Sequence, residues 1–406
     1  MALIVQKYGG TSVANAERIL SAARRIAKAR EAGNQVVVVT SAMGDATDEL
    51  IKLAHQITSN PSERELDGLL STGEIVASTL IAMALKDIGC EAISLTGAQA
   101  GIQTDRSYSR ARIIRVDVKR IQDELTKGKV VVVAGFQGIT EGMETTTLGR
   151  GGSDTTAVAL AATLKADLCQ RYTDVDGIYT ADPRLVPEAK RLKEISYQDM
   201  LELATYGSKM MHPRAVELGE IYHVPVEVLS SFVESRGTLI HGGVSMEARN
   251  RVSGIAHDYD VAKITVVGVP DRPGIAAAIF QPLAQADVSV DTIVQNVSLD
   301  NITDLTFTIA RSQLEKALAV VKPVAELMGA RECLSDAKVG KVSIVGTGMQ
   351  NAPGYAARMF ATLARENINI QAITTSEIRI TCIIDESRLK DAVRALHQAF
   401  ELEKVD

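Results

Sequence analysis

The last third of this 406-residue chain repeats itself at a constant offset of 80 residues, and nothing else in it restricts the fold so strongly. Pro273-Gly274 recurs as Pro353-Gly354, Ala276-Ala277 as Ala356-Ala357, Phe280 as Phe360, and Leu283-Ala284 as Leu363-Ala364. Val290 and Ile293 return as Ile370 and Ile373. Such a period means two copies of one supersecondary unit. In the first copy, strand-like runs at 263–269, 288–296, 304–310 and 332–334 are interleaved with helical patterns at 274–286 and 313–328. The order is β-α-β-β-α-β, a ferredoxin-like unit. The second copy has strand-like runs at 342–345, 370–375 and 378–384 and helical ones at 354–366 and 389–400, and it lacks a last strand. The segment 252–257, upstream of both copies, is expected to supply it.

The first half follows another rule. Strand-like runs at 3–6, 36–40, 92–95, 130–134, 168–173 and 226–229 alternate with helical patterns at 48–57, 74–86, 113–126, 155–164 and 197–204. That alternation predicts a mainly parallel sheet with helices on both faces. The run 139–147, with Glu141-Gly142 in its middle, reads as an antiparallel hairpin. Ligands of such sheets gather beyond the carboxyl ends of the strands. The loops after Gln6, Thr40, Ala134 and Thr173 therefore carry the interest. A chain of this length exceeds one ordinary core, so two or three domains are expected.

Composition excludes several classes. A net charge of -6 argues against a nucleic-acid binder held by backbone charge. No apolar run is expected to cross a membrane, and the run 2–5 is too short for a signal peptide before Gln6-Lys7, so a cytoplasmic protein is expected. Cys90, Cys169, Cys333 and Cys382 are widely spaced, with no C-x-x-C pair, and read as reduced thiols in core positions. The histidines form no H-x-H or H-E-x-x-H cluster, so no transition-metal site is expected.

Four motifs carry chemistry. The first, V-Q-K-Y-G-G-T-S-V at 5–13, ends a strand at Lys7 and follows it with Gly9 and Gly10. Thr11 and Ser12 are candidate N-caps for a helix with Ile19, Leu20, Ala23, Ile26 and Ala27 on its apolar stripe. Glycines, a helix start and a lysine make a place for an anion, although a tight turn with a solvated lysine uses the same residues. The second, T-T-L-G-R-G-G-S-D-T-T-A at 146–157, sets Gly149, Gly151 and Gly152 before Ser153 and Asp154 at another helix start. Arg150 there offers a bidentate grip on a carboxylate; the alternative is a capped helix with a solvated arginine.

The third motif, T-D-V-D-G-I-Y-T-A-D-P-R at 173–184, supplies the turn formers Asp174, Asp176 and Asp182. It also offers Tyr179 to a base or ribose and Arg184 to phosphate. The fourth, G-S-K-M-M-H-P-R at 207–214, supplies Lys209. Glu74, in S-T-G-E, reads as dipole-compensating charge at a helix start. Neither a Walker P-loop nor G-x-G-x-x-G is present. Two glycine-rich anion sites on an acidic chain suggest two anionic reactants brought together, as in phosphoryl transfer to an acid. A carboxylate acceptor, with a reference pKa of roughly 4, is already ionised and needs no general base.

Taken in order, K-Y-G-G-T-S-V, S-A-M-G-D-A-T-D, L-G-R-G-G-S-D-T-T-A, T-D-V-D-G-I-Y-T-A-D-P-R and G-S-K-M-M-H-P-R resemble the aspartate kinases (aspartokinases) of the amino-acid kinase superfamily. The tandem repeats resemble ACT regulatory domains. The resemblance spans essentially the whole chain and, with no homoserine dehydrogenase portion following, is to the monofunctional form. It implies a three-layer αβα kinase domain at 1–245 and ACT domains at 263–336 and 338–406, the second completed by 252–257. It implies transfer of the γ-phosphate of ATP, with Mg²⁺, to the side-chain carboxylate of L-aspartate. The product, 4-phospho-L-aspartate, leads toward lysine (through diaminopimelate), threonine and methionine.

Carried onto this sequence, the resemblance gives Lys7, Gly9 and Gly10 the transferring phosphate, with Lys7 stabilising its charge and Asp154 organising the surrounding cations. Tyr8, Ser41, Thr173, Asp174, Tyr179, Arg184 and Lys209 would complete the nucleotide site. Ser41, Thr47, Glu74, Arg150, Gly151, Gly152 and Ser153 would surround aspartate, with Glu74 suited to the α-ammonium and Arg150 to the α-carboxylate. No protein metal site is expected. Effectors, lysine and/or threonine, would meet Asp271, Gly274, Ile275, Ala276, Asp291 and Gln295 in the first unit. In the second they would meet Tyr355, Ala356, Asn369, Ile370, Ser376 and Glu377. Asp271, Asp291 or Glu377 would take the ammonium; alternatively a unit serves only to dimerise. A homodimer or larger assembly through the ACT units is expected, and an internal start at Met246 would give a separate regulatory subunit. Related kinases acting on glutamate or acetylglutamate, and an amino-acid sensor with an inactive kinase domain, are the competing readings.

Overall fold

The computed structural model describes residues 1–207, 211–243, 252–296, 302–349 and 353–405. The first half builds an eight-stranded sheet in the order Glu194–Ile195, Thr238–Ile240, Val226–Ser230, Leu168–Thr173, Leu3–Tyr8, Gln35–Thr40, Val130–Ala134, Ala92–Leu95. All neighbours are parallel except Val226–Ser230 with Thr238–Ile240. The valine runs explain the layering. Val36, Val38, Val130 and Val132 face the helices Ala16–Glu31 and Glu63–Asp87. Val5, Val37, Val39, Val131 and Val133 face Gly152–Leu164 and its neighbours. Successive side chains on a strand point to opposite faces, so an unbroken apolar run demands cover on both.

Several local expectations change. The helix after the glycine turn begins at Ala16, capped by Asn15, whose Oδ1 accepts from the Arg18 amide at 3.0 Å. Thr11 and Ser12 instead sit in a 3₁₀ turn, Gly10–Val13, and Leu20 is exposed while Ala22 is buried. Residues 113–126 divide into a strand, Ile113–Val116, and a helix, Lys119–Thr126, because the β-branched run Ile113-Ile114 pairs with Ile102–Thr104. The helix holding Glu74 starts eleven residues earlier than expected, at Glu63, so Glu74 is mid-helix and not at its start. Glycines at 68 and 73 mask this in sequence. This 25-residue helix is long and apolar enough by composition to cross a membrane, contrary to expectation, yet it buries Asp67 and Glu74 and packs against the sheet.

The second half forms one six-stranded sheet in the order Val290–Gln295, Ile302–Ile309, Gly254–Pro270, Glu332–Val345, Arg379–Asp385, Ile370–Thr375. Its two central strands are long enough to serve both repeats. Ala262 to Pro270 pairs with Ile302–Ile309, whereas Gly254 to Asp258 pairs antiparallel with Val345 to Lys341. Each repeat has its own core. One contains Ile264, Ile279, Leu283 and Phe307; the other contains Val342, Met359, Leu363 and Leu396.

Candidate active site

Lys7 and Arg171 are register partners on adjacent parallel strands, and both side chains reach Asp154 in the first turn of Gly152–Leu164. Lys7 Nζ lies 2.7 Å and Arg171 Nε 3.1 Å from the same Oδ1. Burial opposes charge on Asp154, but Arg171 and Lys7 prevail and hold its carboxyl at about 2. Burial pulls the Lys7 ammonium below its ordinary range, against the attraction of Asp154. Two cations sharing one anion leave a surplus positive charge beside the Gly9 turn. Arg171 was not singled out in sequence; its only signal is a charge inside the buried strand L-C-Q-R-Y-T. Its Nη1 is buried without a hydrogen-bond partner.

The glycine turn and the loop after Thr40 fold onto each other. Ser41 N–H donates to Tyr8 O at 3.0 Å and Gly44 N–H to Gly10 O at 3.1 Å. A Cβ at Gly10 would stand 2.9 Å from Ala42 O, so only glycine permits this approach. Glu74 Oε1 accepts from the Ala42 amide at 3.0 Å, while its Oε2 is buried with no partner. Burial, partly offset by the Ala42 bond, raises the Glu74 carboxyl to about 7. Thr47 is half-buried in the first turn of the helix Ala46–Ile57.

The second motif presents Arg150 at the surface, between Gly149 (φ 76) and Gly151 (φ 67), both left-handed. Gly151 is the N-cap of the helix and no side chain caps it, so neither Ser153 nor Asp154 has that role. A Cβ there would meet the His212 ring at 2.4 Å. Arg214 donates to Leu148 O at 2.9 Å and to Ala111 O at 3.1 Å. His212 and Arg214, from the fourth motif, thus support the Arg150 loop, a role the sequence reading did not assign. Lys209 and Met246 lie outside the described residues.

The nucleotide set divides. Thr173 ends the strand beside Leu3–Tyr8 and Asp174 follows it, with Thr173 Oγ1 donating to Asp174 Oδ1 at 3.0 Å. Tyr8 is 1% exposed, and its ring stacks on Tyr172 at 4.8 Å between centroids in the core behind the glycine turn. Tyr179 donates to Asp176 Oδ1 at 2.7 Å and packs on the core of the second repeat. Arg184 is held by Asp182, with Nη2 to Oδ2 at 2.7 Å.

In the regulatory half, Gly274 (φ 95) and Gly354 (φ 107) are equivalent left-handed N-caps. Ile275 turns into the first core. Asp291 is hydrogen-bonded to Lys341 of the same chain, which occupies the place expected for an effector ammonium. Tyr355 stacks on Phe400 at 6.1 Å, with Ala356 and Ile370 against the same core. Asp271, Gln295 and Asn369 are exposed, Ala276 is half-buried, and Ser376 donates to Glu202 at 3.3 Å. Glu377 is exposed at the turn before Arg379–Asp385.

Residues 2–230 match the amino acid kinase family, and residues 263–326 and 342–400 each match an ACT domain. The chain is 55% identical over 405 residues to an aspartate kinase of Stutzerimonas stutzeri, covering 99% of this chain and 98% of that one. It is 46% identical to the crystal structure of aspartate kinase from Synechocystis, with a TM-score of 0.55, covering 98% of this chain and 70% of that chain. It is 25% identical to E. coli aspartokinase III in complex with lysine and aspartate, with a TM-score of 0.76, covering 98% and 99%.

Proposed function

The chain belongs to the aspartate kinase family, an amino-acid kinase domain joined to two ACT domains, and from that premise we propose that it converts L-aspartate and ATP to 4-phospho-L-aspartate and ADP. A side-chain carboxylate oxygen of aspartate attacks the γ-phosphorus while the bond to the β,γ-bridging oxygen breaks and ADP leaves. The observation that carries this reading is the surplus positive charge of Lys7 and Arg171 over Asp154, beside the Gly9-Gly10 turn. Charge that spreads over the transferring phosphoryl group is stabilised most by fixed cations in a water-poor site.

Gly9 and Gly10 would hold the transferring phosphate, with Ser41, Thr173 and Asp174 beside it; Tyr179, Arg184 and Lys209 complete the proposed nucleotide set. Thr47, Glu74, Arg150, Gly151, Gly152 and Ser153 would enclose aspartate. The unpartnered Glu74 Oε2 suits the α-ammonium, which would draw the carboxyl back to its charged form. Among the described residues no three acidic, histidine or cysteine side chains gather to hold a metal. Mg²⁺ would neutralise phosphate charge as a companion of the nucleotide's own oxygens.

We assign the kinase domain to 1–245 and the ACT domains to 263–336 and 338–406, with 252–257 completing the second. The pairing of Gly254 with Val345 through His257 with Val342 supports that boundary. Lysine and/or threonine would act there, in a cytoplasmic homodimer or larger assembly that feeds lysine, threonine and methionine synthesis, with the start at Met246 as a source of a separate regulatory subunit. The deciding experiment measures ADP release by the full chain with ATP and Mg²⁺ on L-aspartate, L-glutamate and N-acetylglutamate. Release with aspartate alone is expected. Release only with another acid overturns the acceptor, and none with any acid makes the chain a sensor.

A further inference from the structure

The buried carboxylate of Asp67 has no part in the reaction as derived, and no motif above includes it. It lies at 0% exposure on the helix Glu63–Asp87, two turns before Glu74 on the same face. It accepts four hydrogen bonds. Thr147 donates its amide to Oδ2 at 2.8 Å and its hydroxyl to Oδ1 at 2.7 Å. The Ser109 amide forks to both oxygens, at 3.0 and 2.9 Å. These two partners flank the Arg150 loop. Thr147 precedes Leu148-Gly149-Arg150 in the chain. Ser109 holds a left-handed backbone (φ 64) unusual for a residue with a Cβ, and its carbonyl stands 3.0 Å from where a Cβ on Gly149 would be.

We propose that Asp67 is a positioning residue for amino-acid recognition, bolting the loop that carries Arg150 to the helix that carries Glu74. This rests on the assignment of Arg150 and Glu74 to the two ends of the substrate's α-amino-acid group. The two groups come from distant parts of the chain, and their spacing must match one small ligand. A carboxylate, with two acceptor oxygens and no donor of its own, is the side chain that meets these three donors with four bonds at once. An amide at this position would turn two donors of its own toward the Ser109 or Thr147 N–H. The loop would then move relative to Glu74, and loss of alignment would appear as weaker aspartate saturation with the phosphoryl-transfer cations untouched.

The test is steady-state kinetics of the full chain carrying Asp67→Asn, Arg150→Ala, or both. Asp67→Asn is expected to raise the aspartate KM about tenfold with the ATP KM within twofold. In the Arg150→Ala background the same change should add less than twofold, because the group it positions is gone. Multiplicative effects in the double variant, or an aspartate KM within twofold of the parent in Asp67→Asn, overturn the positioning role. An unchanged aspartate KM in Arg150→Ala instead overturns the Arg150 assignment, and this inference with it. If Asp67→Asn does not fold, Thr147→Val removes one of the four bonds alone. It should raise the aspartate KM about threefold, again with no effect beyond Arg150→Ala, and no rise overturns the proposal.

Discussion

Charge at single residues sets the strongest expectations. Lys7→Ala removes a buried cation whose greatest interaction is with charge in the transition state, so kcat should fall on the order of 10²-fold or more while both KM values change far less. Pre-steady-state and steady-state rates check this, and near-normal turnover would remove Lys7 from its role. Glu74 gives a pH signature. Burial pushes its carboxyl up to about 7, and only the ionised form suits an ammonium. The kcat/KM for aspartate should therefore drop tenfold per pH unit below about 7, and Glu74→Gln should abolish that slope. The stability sign is the reverse of the usual acidic residue. The folded state holds the proton above the unfolded value of 4.5, so stability from this group is full below 4.5 and is lost as pH rises through 7. The loss amounts to roughly 3 kcal/mol. Glu74→Gln should thus raise the melting temperature at pH 8, even as it weakens aspartate saturation.

Among elements, the start of Gly152–Leu164 is where geometry is least forgiving. Gly151 combines a left-handed backbone with His212 against its α-carbon. Gly151→Ala should destabilise the protein by about 1–3 kcal/mol and raise the aspartate KM, since the strained turn presents Arg150. Thermal melting and aspartate titration measure the two effects, and an alanine variant with parental values of both would show that the turn is free to shift. The helix Glu63–Asp87 shows why element boundaries were harder to read than element type. Two glycines weaken its propensity, and it persists because its buried face packs on the sheet and because Gly73 lets it approach Ala42, whose Cβ would be 2.8 Å from an added one.

For the whole molecule, the question is how the two halves speak to each other. The far end of the third motif is built into the second regulatory core: Ala181, Val186 and Ala189 pack with Leu389, Val393 and Leu396. Thr180 Oγ1 meets His397 Nε2 at 2.9 Å, and Arg394 Nε donates to Leu185 O at 2.7 Å. On the other side Asp199 holds Ser253 at 2.6 Å and the Thr347 amide at 2.8 Å. Arg379 is ion-paired with Glu202 at 2.9 Å without hydrogen-bond alignment, its guanidinium 3.6 Å over the Tyr206 ring. Movement of the regulatory sheet must repack this seam. Glu202→Gln should accordingly shift the lysine or threonine concentration for half-inhibition several-fold, with uninhibited kcat retained. Activity titrations with each amino acid, singly and together, decide it; an identical inhibition curve would separate the seam from regulation.

Local information sufficed for the parts of this protein that periodicity and composition specify. The valine runs dictated a sheet covered on both faces, the 80-residue repeat dictated two like units, and the glycine motifs marked where backbone must come close to something small. Tertiary packing decided what those parts touch. Strand register brought Arg171 to Asp154 and turned Tyr8 into the core, and the length of two shared strands merged the repeats into one sheet. The helix Glu63–Asp87 carried two acids inward that composition would place outside. A period of two or 3.6 residues reports which face of an element is buried, but the partner on that face comes from residues far away in the chain. The energy of a buried charge depends almost entirely on that partner.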